Sequence, residues 1–347
     1  MDTISAENVL PQKKPRIEYI DLAKGFCITL VVMHHLSMFY EVQLPLSYFF
    51  KAFRMPLYFF LSGCFFKAYG GIWDFEKRKV NKLLIPFVFF YVVSSFLIPN
   101  ILVHFGADIR HLPMSQLPIA FLGEEYPADQ IWFLLSLFEI NIIFYVIYLL
   151  MGTREHRTLL IALLSLLLGA IGVLFGVRQI DLPANLDSSL SALPFFAIGF
   201  IIFRNTDMLK PNRFDRYLPF MVMAAFLVVY FVTPNASFYR NRFYGNTWLT
   251  IYPIATMGVL GVLWLSKILK KLPVLSYYGR YSIIILVTHD KVFLFFSALL
   301  APLNLAPSAE LCLNLLLTIS SYMLIIPFMR KYMPHVTAQK DVIPINK

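Results

Sequence analysis

Charged side chains and cysteine are both scarce in this chain. Only 14% of the 347 residues are Asp, Glu, Lys or Arg, against about 25% in an ordinary soluble domain. The three cysteines, Cys27, Cys64 and Cys312, lie within apolar runs, and their spacing fits no disulfide, zinc or haem pattern. The composition therefore excludes a disulfide-stabilised secreted scaffold and a disordered chain, argues against an ordinary cytosolic enzyme, and predicts no metal site.

Apolar side chains are abundant instead. Hydrophobic residues make up 59% of the chain, with 34 Phe and 19 Tyr, and the mean hydropathy is +0.68. The net charge is +10, but the basic residues stand between long apolar runs and not on one polar face. This distribution is typical of a protein that crosses the lipid bilayer several times, and it predicts no nucleic-acid partner.

Ten apolar runs indicate membrane-spanning helices, each of which needs about 20 residues. The predicted spans are 20–40, 46–66, 83–103, 130–151, 158–176, 189–203, 218–233, 247–266, 281–299 and 309–329. The sixth and seventh are short and contain Pro194 and Pro219, so their ends are the hardest to place. The sequence predicts an all-α integral membrane protein with about ten transmembrane helices.

The loops between these spans predict the orientation of the chain. With the N-terminus inside, the inner loops and tails carry 22 Lys and Arg residues and the outer loops carry 4. Basic residues concentrate on the cytoplasmic side of membrane proteins, so both termini are predicted to be cytoplasmic. Residues 1–18 and 333–347 are polar and predict solvated cytoplasmic tails on either side of one membrane domain, residues 19–332.

The first span carries an unusual stripe of ionisable residues. Lys24 and His35 are eleven residues apart. On a helix their directions around the axis differ by only about 20°, and they lie about 16 Å apart along it. Asp21 lies near the same face, one turn before Lys24, whereas His34 points about 100° away. Charge inside a bilayer is costly and predicts a functional site. The alternative is that Asp21 and Lys24 lie at the interface, with Lys24 snorkelling, and that His35 packs against another helix.

Several motifs in the chain resemble the membrane acyltransferase-3 family. In order they are RIEYIDLAKG (16–25) with ITLVVMHH (28–35), FRMPLYFFLSG (53–63), KRKVNKLLIP (77–86), IWFL (131–134), LPFFAIG (193–199) and GRYSIIILVTH (279–289). The family has a basic residue and a histidine separated by ten residues in its first span. Lys24 in place of the commoner Arg resembles the branch of fucose 4-O-acetylases and related polysaccharide O-acetyltransferases. The resemblance covers about residues 16–330.

The resemblance implies transfer of an acetyl or similar acyl group from cytosolic acetyl-CoA to a sugar hydroxyl of a surface or exported glycan. It also implies that the acceptor is a glycan or a lipid-linked sugar and that the protein lies in the plasma membrane, the bacterial inner membrane. Imidazole titrates near neutral pH, so His35 suits the role of general base, or it forms a transient acyl-histidine. Lys24 can hold the donor or bias the imidazole, and Asp21 can neutralise Lys24.

Cations near the cytoplasmic side suit the phosphates of acetyl-CoA. The basic loop carries Lys77, Arg78, Lys79 and Lys82, and arginine binds phosphate in a bidentate geometry. Arg78 and Lys82 are the preferred donor-binding pair because they abut the third span. The alternative is that these residues are only positive-inside anchors.

Four more residues are predicted to bind the substrate. Arg54 can bind the acceptor or stabilise an oxyanion, or it snorkels to the interface. Trp132 can stack on a sugar or belong to the aromatic belt, which is slightly preferred. Glu139 can pair with Arg54, act as an acid or base, or be structural. His289 matches a late histidine of the family, and it does not form a dyad with the adjacent Asp290.

Two other classes of function compete with acyl transfer. Buried His, Asp and Glu can form the proton relay of a proton-coupled transporter, but the chain shows no inverted repeat. The chain can also be a non-catalytic component of a polysaccharide assembly system that keeps the fold without the chemistry. The oligomeric state does not follow from the sequence.

Overall fold

The structure, a computed structural model, describes residues 17–44, 47–106, 112–116, 131–207, 210–232 and 247–345, and these contain helices but no β-strand. The helices are α1 Glu18–Phe39, α2 Ser47–Cys64, α3 Ile72–His104, α4 Trp132–Met151, α5 Arg157–Val177, α6 Leu186–Asn205, α7 Leu218–Phe231, α8 Thr247–Leu269, α9 Pro273–Arg280, α10 Ser282–Leu300 and α11 Pro307–Tyr332. The predicted all-α membrane fold is confirmed. The predicted N-terminal tail, residues 1–18, lies outside the described residues except for its last two.

Eight helices within the described ranges are long and apolar enough to cross a membrane. The two other predicted spans coincide with α2, which has 18 residues, and α7, which has 14. The sixth span is longer than the predicted 189–203, because α6 starts at Leu186 and runs through Pro194 to Asn205. The total of ten spans and the cytoplasmic position of both termini stay predictions.

Helix α1 is the central element of the bundle, in contact with α2, α8, α9, α10 and α11. Its closest approach is to the short helix α9. A Cβ atom at Gly25 would overlap the carbonyl of Leu275, and one at Gly279 would overlap the carbonyl of Asp21. Only glycine allows the two backbones to touch here, and small residues serve membrane helices in this way generally.

Helices α2 and α6 cross through a reciprocal glycine contact. Gly63 of α2 faces the carbonyl of Phe196, and Gly199 of α6 faces the carbonyl of Phe60. This crossing fixes the inner half of α2, which forms one wall of the cavity described below.

Helix α3 starts about ten residues before the predicted span 83–103 and contains a π-helical turn at Val80–Leu84. The C-terminal segment, predicted as a solvated tail, is partly buried and partly exposed. Residues 333–345 turn back and pack against this π turn, with Thr337 fully buried and Ala338 9% exposed. Only residues 346 and 347 of the tail lie outside the described residues.

Candidate functional site

A cavity of about 270 Å³ lies between α1, α2, α3, α4 and α10. Its lining includes two lysines, Lys24 and Lys79, and three residues with hydroxyl groups, Tyr58, Ser62 and Ser282. The remaining lining residues are apolar. Lys79 and Ser282 lie at the ends of loops predicted to be inside, so the predicted orientation places this end of the cavity towards the cytoplasm.

Two histidines lie directly beyond the outer end of the cavity. Val31 of α1 and Leu286 of α10 line the cavity, and the next turns of these helices carry His35 and His289. The two imidazole rings contact each other, with their centroids 5.0 Å apart and their planes at 51°. The predicted stripe is thus present, because Lys24, Ile28 and Val31 line the cavity on the face of α1 that continues to His35.

The hydrogen bonds of His289 determine its tautomer. Its Nδ1 lies 3.1 Å from the carbonyl oxygen of Ile285 and 2.9 Å from that of Leu286. Carbonyl oxygens only accept, so we assign the proton to Nδ1 and an acceptor lone pair to Nε2. The Nε2 atom is buried and has no hydrogen-bond partner among the described residues. His289 therefore offers a fixed proton acceptor beside His35.

The inner part of the cavity carries its positive charge. The side chains of Lys24 and Lys79 are both partly buried, and Lys79 also lies 5.2 Å from the ring centroid of Phe75. The hydroxyl of Tyr58 donates to the backbone carbonyl of Lys24 at 3.0 Å and fixes this turn of α1 against α2. Two lysines among otherwise apolar walls suit an anionic ligand.

Asp21 forms an ion pair that the sequence does not predict. Its Oδ2 lies 3.6 Å from Nε of Arg280, the last residue of α9, and Asp21 is only 3% exposed. Glu18, one turn earlier, lies 3.2 Å from Lys271 and 3.7 Å from Arg280. These contacts link the start of α1 to α9, so Asp21 has a cationic partner outside the Lys24 stripe.

The two cations predicted to bind the donor do not line the cavity. Arg78 pairs with Asp74 at 3.1 Å and lies over the ring of Tyr69 at 4.5 Å. Lys82 pairs with Asp341 of the C-terminal segment at 3.0 Å. Lys79, a third member of the same basic loop, lines the cavity instead. The basic loop as donor site stays a prediction, and within it the structure favours Lys79.

Arg54 is buried at the level of the histidines. It is 7% exposed, so it does not snorkel to the interface, and its guanidinium interacts electrostatically with the imidazoles of His34 and His35. The ring of His34 lies 5.6 Å from that of His35. A buried cation that interacts with these imidazoles suits stabilisation of negative charge.

Trp132 and Glu139 lie on α4. Trp132 is only 3% exposed, so it lies inside the bundle and not on the outer surface where aromatic belts are found. Glu139 accepts a 2.6 Å hydrogen bond from Ser189 of α6, which gives it a partner other than the predicted Arg54. Asp290 pairs with Lys291 at 2.8 Å and not with His289. The substrate-binding roles of Trp132 and Glu139 stay predictions.

Sequence reasoning misses three features of this site: Lys79 in the cavity, the contact between His35 and His289, and the ion pair of Asp21 with Arg280. Lys79 carried no distinguishing signal among its basic neighbours. The other two features join residues more than 250 positions apart. The available signal was indirect, because buried ionisable groups of different spans tend to meet.

The fold and the site define a multi-pass membrane protein in which a pair of histidines in ring contact lies next to a cavity lined by two lysines. Comparison with known families identifies it further. The family model described as an acyltransferase domain matches residues 17–330, and the chain belongs to this membrane acyltransferase-3 family. No curated protein and no solved structure matches the chain.

Proposed function

We propose that this membrane acyltransferase moves an acetyl or similar acyl group from cytosolic acyl-CoA to a sugar hydroxyl of a surface or exported glycan, either free or lipid-linked. The proposed location is the bacterial plasma membrane. The observation that carries this proposal is the position of the His35–His289 pair directly above a cavity that contains Lys24 and Lys79. Family membership supports acyl transfer in general.

The dimensions of the cavity support a specific placement of the donor. A volume of about 270 Å³ lies below the usual range of about 300–1,000 Å³ for sites that enclose a drug-sized ligand. The narrow thioester arm of acyl-CoA suits such a cavity, whereas the bulkier nucleotide stays at the cytoplasmic mouth. Lys24 and Lys79 are then the cations available to its phosphates.

The chemistry follows from the histidine pair. The acceptor hydroxyl oxygen attacks the thioester carbonyl carbon while His35 removes the hydroxyl proton, and a C–O bond forms. The tetrahedral intermediate collapses, the C–S bond breaks, and the leaving CoA thiolate receives that proton from His35. The products are the sugar ester and free CoA, so His35 is regenerated.

The other charged residues support this step. Arg54 next to His35 stabilises the oxyanion of the tetrahedral intermediate. The ring of His289 packs against that of His35 and holds it in orientation. Asp21 and Arg280 keep α9 against α1, which places Lys24 in the cavity wall. Trp132 and Glu139, on the helix that contributes Phe133 and Leu137 to the cavity, are candidate contacts of the acceptor.

Purified full-length protein tests this proposal by calorimetry with acetyl-CoA and by transfer of labelled acetyl from acetyl-CoA to surface glycan. We expect saturable binding that weakens as salt rises, because the contacts are between charged groups, and ester-linked label in the glycan. Absence of both binding and transfer would contradict the proposal. A proton flux in proteoliposomes would then favour the transporter alternative.

Replacement of Lys79 by alanine is expected to weaken acetyl-CoA binding about tenfold, because one charge-assisted contact to a phosphate is lost. Arg78→Ala is the matched control, since Arg78 belongs to the same loop but pairs with Asp74. Calorimetry on the two variants compares their dissociation constants with that of the wild type. An equal loss in both variants would show that the loop acts only through its total charge.

A further inference from the structure

The C-terminal segment 334–345, here called the C-terminal strap, is bound by one buried asparagine. The Nδ2 of Asn81 donates to the carbonyl of Ile343, and its Oδ1 accepts from the backbone N–H groups of Val342 and Ile343, each at 2.9 Å. Asn81 is 0% exposed. A side chain of α3 thus makes three hydrogen bonds to backbone more than 260 residues away.

Lys82 makes a second attachment to the same strap. Its Nζ donates to the carbonyl of Ala338 at 2.9 Å and pairs with Asp341 at 3.0 Å. Within the strap, the N–H groups of Gln339 and Lys340 both donate to the carbonyl of Pro334, which closes a compact turn. The strap therefore has its own local structure and two independent contacts with α3.

Both contacts fall on the π-helical turn Val80–Leu84. One side of this region carries Lys79 and Leu83, which line the cavity. The other side carries Asn81 and Lys82, which hold the strap. None of the described residues 334–345 lines the cavity, so the strap supports the turn from behind and does not fill the donor site.

A π turn is rare and contains one residue more than an α turn. If the turn relaxed to α geometry, the residues before it would rotate by about 100° relative to those after it. Lys79 directly precedes the turn and would leave the cavity wall. The bonds of Asn81 and Lys82 to the strap hold the turn in the geometry that keeps Lys79 there.

We propose that Asn81 is a positioning residue, through which the C-terminal strap directs Lys79 into the cavity and sets the affinity for the anionic acyl donor. This inference rests on the proposed function, because it takes acyl-CoA as the ligand of the cavity. Asn81 does not contact the donor. It acts through Lys79.

The test uses full-length protein and measures kcat and the KM for acetyl-CoA, with calorimetry for the dissociation constant. Asn81→Ala is expected to raise the KM about tenfold and to leave kcat unchanged. Removal of residues 334–347 is expected to raise the KM by a similar factor. Asn81→Ala in the truncated protein is expected to raise the KM no further. In the Lys79→Ala protein, Asn81→Ala is likewise expected to leave the KM unchanged, because both substitutions remove the contact of Lys79 with the donor.

Asn100→Ala is the matched control. Asn100 lies on the same helix, and its amide donates to the carbonyls of Phe96 and Leu112 at 2.8 Å, at the end of α3 opposite the strap. It is expected to leave the KM unchanged.

The exposed ion pair supplies a variant with little effect on folding, since the side chains of Lys82 and Asp341 are 46% and 37% exposed. Lys82→Asp is expected to raise the KM, and the added change Asp341→Lys is expected to restore it.

Three outcomes would overturn the inference. A fall in KM in the truncated protein would show that the strap competes with the donor. An effect of Asn81→Ala that persists in the Lys79→Ala background would show that it does not act through Lys79. If Asn81→Ala and the truncated protein bind acetyl-CoA as tightly as the wild type does, Asn81 has no positioning role, but the proposed function stands. If the wild type itself does not bind acetyl-CoA, the proposed function is contradicted.

Discussion

His289→Ala is expected to lower kcat for acyl transfer by about 10²-fold or more, while the dissociation constant for acetyl-CoA stays unchanged. The Nδ1–H of His289 is held by two backbone carbonyls, which leaves Nε2 as a buried acceptor beside the ring of His35. Without the His289 ring, His35 loses the imidazole that packs against it and holds its orientation. Single-turnover kinetics with labelled acetyl-CoA measure the effect separately from donor binding.

Two comparisons separate catalysis from packing at His289. Asn314→Ala removes another fully buried polar side chain, bonded to the carbonyl of Phe293 on α10, and is expected to reduce stability without a comparable loss of kcat. The double variant His35→Ala/His289→Ala is expected to be no slower than His35→Ala alone, because the two groups act as a unit. If the two substitutions lower kcat by factors that multiply in the double variant, the two histidines act independently, which would contradict the pairing.

Gly279→Ala is expected to cause the largest loss of folded protein. A Cβ at this position would overlap the backbone carbonyl of Asp21 and the backbone nitrogen of Gly25, and backbone atoms of packed helices cannot turn aside. Overpacking of this kind costs typically 1–3 kcal/mol, and more when helices must separate. We expect a lower melting temperature of the purified protein and a smaller monodisperse fraction in size-exclusion chromatography.

Gly70→Ala provides the control for this prediction. A Cβ at Gly70 would meet nothing within 4 Å, so the same substitution there is expected to leave the melting temperature unchanged. Equal melting temperatures for the Gly70 and Gly279 variants would show that α1 and α9 are not in backbone contact.

The features that the sequence predicts well are those that depend on local pattern. Long apolar runs predict membrane helices because the bilayer demands them. The stripe of Lys24 and His35 follows from helical geometry within one span, and the structure places this stripe along the cavity. Burial of ionisable side chains in such spans already pointed to the functional region.

The features that the sequence does not predict depend on contacts between distant segments. Asp21 meets Arg280, Glu139 meets Ser189, and Asn81 meets residues 342 and 343. The pattern of residues within one helix does not predict these contacts, because they depend on how the helices pack against each other. The C-terminal strap was the hardest to predict, since a polar segment with several charges has the composition of a solvated tail.

The choice of Arg78 and Lys82 over Lys79 has the same origin. All three are cations within five residues, and proximity to the span does not reveal which face of a helix points to a cavity. The π turn also changes which residues of α3 share a face on either side of it. The sequence contains no signal that predicts this turn.

The most direct test of the account measures ester-linked acetyl in the surface glycan of cells that carry the wild type, His35→Ala or His34→Ala at matched membrane levels. The two histidines are adjacent, but only His35 continues the stripe that lines the cavity. We expect that the His35→Ala cells lose the acetyl groups and that the His34→Ala cells keep them. Normal acetylation in the His35→Ala cells would contradict the assignment of His35 as the general base.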